Sequence, residues 1–330
     1  MSEELTQRLL QILQALKILS PRSFSLGGTI FSVEDVEENE EEPLVECLAR
    51  KLYVHCYSRE FDGVAIATAY VPQVDEQFGE KLSHANTGCE RLDRAWIVSL
   101  VLPTGHYLVQ KNGLVRAVSV EEFVCDDAAI APGVRVSLCW PKESRTMHPA
   151  FYYIFGSAIT DQQDDDDLLR WYWNIKTVGV LKLVHLLTQR LNKFQIPFRL
   201  KCLNDPAGYD RADAAVLYIN KRFYRLATEL LAEVYQTVAD QLAPITPLFS
   251  KQLAPGLGLA EEPETGESFG QQRCRILAKG IWNAHVLNRQ TEHERLAEVV
   301  RQFELSGLSF DRPYLNSGST DDYDFPSRSR

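Results

Sequence analysis

Apolar residues recur at helical spacing in the opening segment MSEELTQRLLQILQAL, where Leu5, Leu9, Ile12 and Leu16 predict an amphipathic helix. A second short helix is expected within 44–58, and 59–90 reads as mixed loop and helix. From 95 to 139 the period changes to two. AWIVSLVL, HYLVQK, LVRAVS and VRVSLCW are short apolar runs separated by PTG, NG and PG, and Asn112-Gly113 is a strong two-residue hairpin signal. With FYYIF at 151–155 as a further strand, the pattern predicts an antiparallel sheet from 95 to 155.

A long helix is predicted over 168–194, with Trp171, Ile175, Val178, Leu181 and Leu187 near one face. The acidic run 164–167 at its start and Arg190 and Lys193 at its end suit the helix dipole, and Pro197 closes it. FRLKCL at 198–203 alternates as a strand, with Arg199 and Lys201 on one side and Phe198, Leu200 and Cys202 on the other. NDPAGYD turns the chain into a strand over 212–219, and 224–243 is an amphipathic helix. A loop rich in Gly and Pro leads into a helix at 269–288, then a helix at 291–305. The segment from Asp311 has no apolar period and reads as a flexible tail. The fold class is therefore α+β in one unit, with an antiparallel sheet in the middle and a helix-rich C-terminal half. Its divisions are an N-terminal helical region, 1–80, an α+β domain, 81–310, and the tail, 311–330.

Composition narrows the function. The chain has 330 residues, 45% hydrophobic and 24% charged, the profile of a soluble globular protein. No apolar run reaches transmembrane length, and the acidic start lacks a signal-peptide layout. The seven cysteines are odd in number and contain no C-x-x-C pair, which suits reduced thiols in a cytoplasmic protein. A net charge of −10 argues against nucleic acid as a partner. Nothing suggests a membrane partner. The charge is uneven: residues 170–225 hold 11 Lys or Arg against 3 Asp, and acidic runs lie at 34–42 and 161–167. Two readings stand, a small anionic substrate or a basic face neutralised by acidic loops.

Ser268 and Gln271 have the spacing of a helix-capping box, Arg273 and Arg275 follow, and no acidic residue occurs from Ser268 to Thr291. A helix start with adjacent glycines and arginines can hold a phosphate or carboxylate, or can simply be a capped helix with solvated arginines. Gly266-Glu267-Ser268-Phe269-Gly270 also matches G-x-S-x-G, with His285 or His293 available to a triad. That motif requires a buried strand directly before it. LAEEPET is not expected to supply one, so Ser268 is not expected to be a nucleophile.

The segments FRLKCLNDPAGYDRADAAVLYI and SKQLAPGLGLAEEPETGESFGQQRCR resemble the HopA-type effector family. The likeness extends more weakly to Asn86-Thr-Gly88, Trp96, Pro141-Lys142-Glu143 and Phe151-Tyr152-Tyr153. The family's namesakes are type III effectors of plant-pathogenic bacteria. Similar proteins in class V lanthipeptide and thioamitide pathways are lyases that work with an aminoglycoside-phosphotransferase-like kinase. The resemblance thus implies elimination of phosphate from a phosphorylated Ser or Thr precursor peptide, leaving dehydroalanine or dehydrobutyrine. The alternative is a non-catalytic protein that binds a phosphorylated or acidic partner.

Such a lyase needs a base for the Cα proton and cations for the phosphate, and no metal or organic cofactor. Lys201 is the base candidate: the family's motif has a lysine at this place, and the neighbouring cation Arg199 favours its neutral form. Arg211 is a candidate phosphate ligand, with Asp213 as its or the lysine's positioning partner or as one half of a structural ion pair. Arg199, Lys251, Arg273 and the helix start at Ser268 complete the expected phosphate cradle. His106, His148 and His185 are candidates for protonating the leaving phosphate.

Overall fold

The computed structural model describes residues 3–33, 42–65, 73–127, 129–158 and 167–326. Helix α1 (Glu3–Ala15) runs directly into a small antiparallel sheet of β1 (Leu16–Ser20), β2 (Ser23–Leu26) and β3 (Thr29–Ser32). Helix α2 (Pro43–Leu52) continues into a π-helical turn, Tyr53–Tyr57, and α3 (Glu76–Ala85) follows. A five-stranded sheet comprises β4 (Arg91–Val101), β5 (Tyr107–Lys111), β6 (Leu114–Val118), β7 (Phe123–Val124) and β8 (Arg135–Trp140). The seven-stranded sheet begins with β9 (Glu143–His148), β10 (Phe151–Phe155) and β11 (Leu168–Trp173). Helix α4 (Thr177–Lys193) leads to β12 (Arg199–Leu203) and β13 (Ala215–Asn220), and α5 (Tyr224–Val238) to the hairpin β14 (Lys251–Ala254) and β15 (Leu257–Glu261). Helices α6 (Phe269–Val286) and α7 (Glu292–Leu305) close the series.

The large sheet has the order β14-β15-β11-β13-β12-β10-β9, with every neighbouring pair antiparallel. All six residues of β11 are buried. Side chains alternate across a strand, so this one must be covered on both faces. Leu169, Trp171 and Trp173 pack with residues of α4 and α5, such as Leu183, Leu187 and Leu231. Leu168 and Tyr172 pack with the N-terminal elements and with α6 and α7, including Leu9, Leu48, Phe269 and Phe303. Burying a side chain of this size contributes about 1.5–3 kcal/mol, so the strand anchors two cores at once. The five-stranded sheet curls until Val118 of β6 and Phe123 of β7, on its opposite edges, share a third core with Trp96 and Leu138.

The α+β class holds, as does the Asn112-Gly113 hairpin, whose two residues have the positive φ of 49° and 84° that such a turn requires. Helix α6 starts at its Ser268 cap as expected. Several expectations need correction. The sheet predicted from 95 to 155 is two sheets, because β10 pairs with β12 and β9 with β10 rather than extending the five-stranded one. The helix predicted from 168 begins only at Thr177. A run of apolar residues covered on both faces has no period, and Val178, placed on the buried helix face, is 82% exposed. The acidic run before it lies, except for Asp167, outside the described residues. The loop before Ser268 contains the β14–β15 hairpin, whose second strand is entirely buried. Glycine and proline supply its turn, and so its composition reads as loop.

The segment read as a flexible tail is packed as far as residue 326. Leu315 and Tyr323 are buried, and the Tyr323 hydroxyl donates to Glu261 Oε1 at 2.5 Å. Lys251 donates to Asp321 Oδ1 and to the Tyr323 carbonyl, both at 2.7 Å. Arg273, fully buried, donates from Nε to the Pro313 carbonyl at 2.8 Å and from Nη2 to the Leu315 carbonyl at 3.0 Å. Removing a donor leaves buried carbonyls unmet at about 1–3 kcal/mol each. Arg273→Met is therefore expected to lower stability by about 2–4 kcal/mol in denaturant unfolding and to open 311–326 to proteolysis. An unchanged cleavage pattern would show that Arg273 does not hold the segment.

Candidate functional site

Antiparallel pairing sets Lys201 opposite Tyr153 of β10 and Val216 of β13, and Arg199 opposite Phe155 and Tyr218. Cross-strand partners share a face, so both cations lie on the face that carries Tyr218. The Lys201 ammonium sits 4.6 Å from the centre of the Phe151 ring and 5.7 Å from that of Tyr218. The Arg199 and Arg170 guanidinium carbons lie 5.3 and 5.2 Å from the Tyr218 ring centre. Three cations thus gather on one aromatic ring, each contact contributing about 0.5–2 kcal/mol. Arg170 is neutralised by Glu262, with Nη2 donating to Oε1 at 2.6 Å. Among the described residues Lys201 has no hydrogen-bond or ion-pair partner, although it is half-buried.

Of the three candidate histidines, only His148 belongs to this face. Its ring lies 5.3 Å from that of Phe151, and burial and the Lys201 charge hold its pKa below the usual value. Its Nδ1 accepts from the Ala150 N–H at 3.0 Å, which assigns the neutral ring's proton to Nε2. His106 is exposed beside Thr104 in the turn between β4 and β5, and His185 is exposed on α4.

Arg211 and Asp213 lie in the turn before β13 rather than in the strand. They form a two-pronged pair, with Arg211 Nε on Oδ1 and Nη2 on Oδ2, both at 2.8 Å. The Tyr53 hydroxyl donates to Oδ2 at 2.8 Å. Burial alone would raise the Asp213 carboxyl, but Arg211, Tyr53 and the charge of Lys201 together hold it below its ordinary value. Burial and Asp213 push the Tyr53 hydroxyl up. The carboxylate is therefore an ionised acceptor filled by its neighbours. Asp213 positions Arg211 and adds a negative charge near Lys201, and its lone pairs are not free for proton transfer.

The other expected cradle residues are elsewhere. Arg273 is committed to the Pro313 and Leu315 carbonyls and to Gln272 Oε1, leaving no edge of the fork for a phosphate. Burial pushes its guanidinium down to about 10, still protonated at neutral pH. Lys251 is held by Asp321 on β14. It pairs with Leu259, whereas the row of Lys201 runs through Val216, Tyr172 and Gly258 to Gln252. Four strand spacings separate the two lysines, roughly 19 Å. Ser268 Oγ accepts from Gln271 N at 3.3 Å and donates to Gln271 Oε1 at 2.9 Å, the work of a helix cap. Its φ of −68° and ψ of 143° are ordinary. Leu259, Ala260 and Glu261 do form a buried strand, contrary to expectation, but a proline-containing loop separates it from Ser268. The nucleophile-elbow geometry is absent.

Beside Arg199 a cavity of about 600 Å³ opens between the two larger sheets. Its seven-stranded wall includes Tyr218, Arg199 and Phe155, and its five-stranded wall includes Arg91, Arg116 and Trp140. The residues of the five-stranded sheet were missed in the sequence. Arg116 in the middle of LVRAV was a visible signal, a cation inside an apolar strand. Arg91 was hidden because β4 starts four residues before the apolar run, across an irregularity in register where Ala95 has a φ of 68°.

Asp213→Asn should destabilise the fold by about 3–5 kcal/mol, since it leaves Arg211 buried without its counter-charge. The carboxyl is depressed in the folded state, so its contribution is present above the unfolded value near ~3.9 and is lost as pH falls through the lower folded value. Unfolding curves of the two proteins should therefore converge in acid. A constant difference from pH 7 to pH 2 would refute the ion-pair account.

Among solved structures the chain is similar to the effector protein from Pseudomonas syringae pv. tomato strain DC3000, at 16% identity and a TM-score of 0.46, over 86% of this chain and 93% of that one. It is also similar to the effector protein from Pseudomonas syringae pv. syringae strain 61, at 14% identity and a TM-score of 0.48, over 96% of this chain and 99% of that one. No curated protein matches it in sequence. The HopA1 effector protein family model matches residues 142–315, from the start of the large sheet to the packed C-terminal segment and across the whole Lys201 face. With more than half its length matched, the chain belongs to the HopA1 effector protein family.

Proposed function

We propose that this protein eliminates phosphate from phosphothreonine or phosphoserine in a peptide, leaving dehydrobutyrine or dehydroalanine. The observation that carries the reading is Lys201: a half-buried cation between two aromatic rings, beside Arg199, with no acceptor among the described residues. A site built this way lacks an anion. A phosphorylated side chain supplies one.

In the proposed step Lys201 first gives up a proton to solvent, and the resulting amine takes the Cα proton. The C–H electron pair forms the Cα–Cβ double bond, the Cβ–O bond breaks, and inorganic phosphate leaves with the oxygen and its electron pair. Arg199 holds the phosphate, and the His148 Nε2–H is the donor available to its leaving oxygen. Arg211, fixed by Asp213 and Tyr53, is already neutralised and adds no net charge to the site. The reaction consumes a peptide that a kinase has phosphorylated, and an aminoglycoside-phosphotransferase-like kinase is the proposed supplier.

Lys201→Ala should abolish turnover and leave phosphopeptide binding measurable, because the base acts in the transition state. Arg199→Ala should weaken binding roughly ten- to a hundred-fold, as a charge-assisted contact is worth about 1.5–3 kcal/mol. The test is mass spectrometry on a phosphothreonine peptide incubated with the protein, with and without the kinase, reading loss of phosphoric acid. Tight binding with no such loss under either condition would replace the lyase with a protein that only recognises phosphopeptides.

A further inference from the structure

The cavity between the sheets has a chemistry of its own. Trp140 is flanked by two guanidinium groups, Arg116 at 4.4 Å and Arg91 at 5.7 Å from a ring centre. Neither arginine has a hydrogen-bond or ion-pair partner among the described residues, and Arg91 Nη1 is buried with nothing to donate to. Burial pushes the Arg91 guanidinium down, with Asp93 opposing it. One carboxylate lines the cavity, Glu122, and it already accepts the Ser119 N–H at 2.7 Å.

Burying a guanidinium edge without an acceptor is costly, and a planar fork is best met by an oxyanion. Two such forks stacked on one indole are held in place before any ligand arrives, so little side-chain freedom remains to be lost on binding. Leu138 and Phe198 provide apolar wall beside them.

We infer that Arg91, Arg116 and Trp140 form a receptor for a second oxyanion, an acidic or phosphorylated side chain close to the residue bound at Lys201. The inference rests on the reading above for the ligand being a phosphopeptide. The spacing follows from the sheet. Arg199 lines the cavity and Lys201 is two residues along the same strand, about 7 Å away. An extended peptide covers that distance in two residues, so an anion two positions before or after the phosphorylated one is the first that can pass Arg199 into the cavity.

The test uses short phosphothreonine peptides with Glu, Gln or a second phosphothreonine two positions before or after the central one. Affinities are measured by calorimetry for the wild type, for the Arg91→Gln, Arg116→Gln pair, for the corresponding pair of Lys substitutions, and for Lys201→Ala. The wild type should bind the Glu or doubly phosphorylated peptide at least about ten-fold more tightly than the Gln peptide in one of the two placements. The Gln pair should bring that ratio to about one, and the Lys pair, which keeps charge but loses the fork, should leave it between. Which of the two anions gives the larger ratio identifies the source. Lys201→Ala should weaken all peptides alike and preserve the ratio. A wild-type ratio near one in both placements, a ratio that survives in the Gln pair, or no binding of any peptide would overturn the inference. Failure of the lyase reading shows separately, as no phosphate loss from a peptide whose Glu-to-Gln ratio is intact.

Discussion

Burial of β11 on both of its faces is the constraint from which the rest of the architecture follows. Six consecutive buried residues need two separate coverings. One is built from α4 and α5, and the other from the N-terminal elements with α6 and α7. The second covering is partial. Across Tyr172 and Val216 it is aromatic and helical, whereas toward β10 and β9 it gives way to the curled five-stranded sheet and a cavity. The cations of β12 emerge where the packing thins. The site is thus a consequence of how far the helical cover extends over the sheet.

Electrostatics follows the same division. Where the cover is complete, charges are neutralised: Arg211 by Asp213, Arg170 by Glu262, Lys251 by Asp321. Arg273 forms no ion pair among the described residues and is instead hydrogen-bonded to carbonyls. Buried charges persist only on such terms. Lys201, Arg91 and Arg116 break that pattern, and they lie where the sheets separate. The chain, acidic in total, thus keeps three unpaired and partly buried cations close to one opening.

Much of this was legible in the sequence where period and chemistry agreed. The alternation of FRLKCL placed Arg199 and Lys201 together on one face, and the Ser268 cap was read at the right residue. Where the two faces of a strand are equally apolar, as in LLRWYW, no period exists and the helical reading had nothing to oppose it. The role of Arg273 was illegible for another reason. Its partners are main-chain carbonyls 40 and 42 residues away, which no side-chain pattern encodes. The composition of 311–326 looks disordered because its anchors, Glu261, Lys251 and Arg273, belong to other elements.

The ends of the described chain meet in one core. Leu9, Ile12 and Leu13 of α1 pack with Leu296, Val299 and Phe303 of α7, and Arg295 Nη1 donates to the Leu13 carbonyl at 2.6 Å. The two residues are 282 positions apart. At a synthesis rate of roughly 5–20 residues per second, the apolar face of α1 waits on the order of 15–55 s for its partner. During translation the strands β1 to β3, whose pairing is local, can form as they emerge, while the apolar face of α1 remains exposed. The contact between α1 and α7 is therefore among the last that synthesis completes, and until then α1 presents an apolar surface to water or to a chaperone.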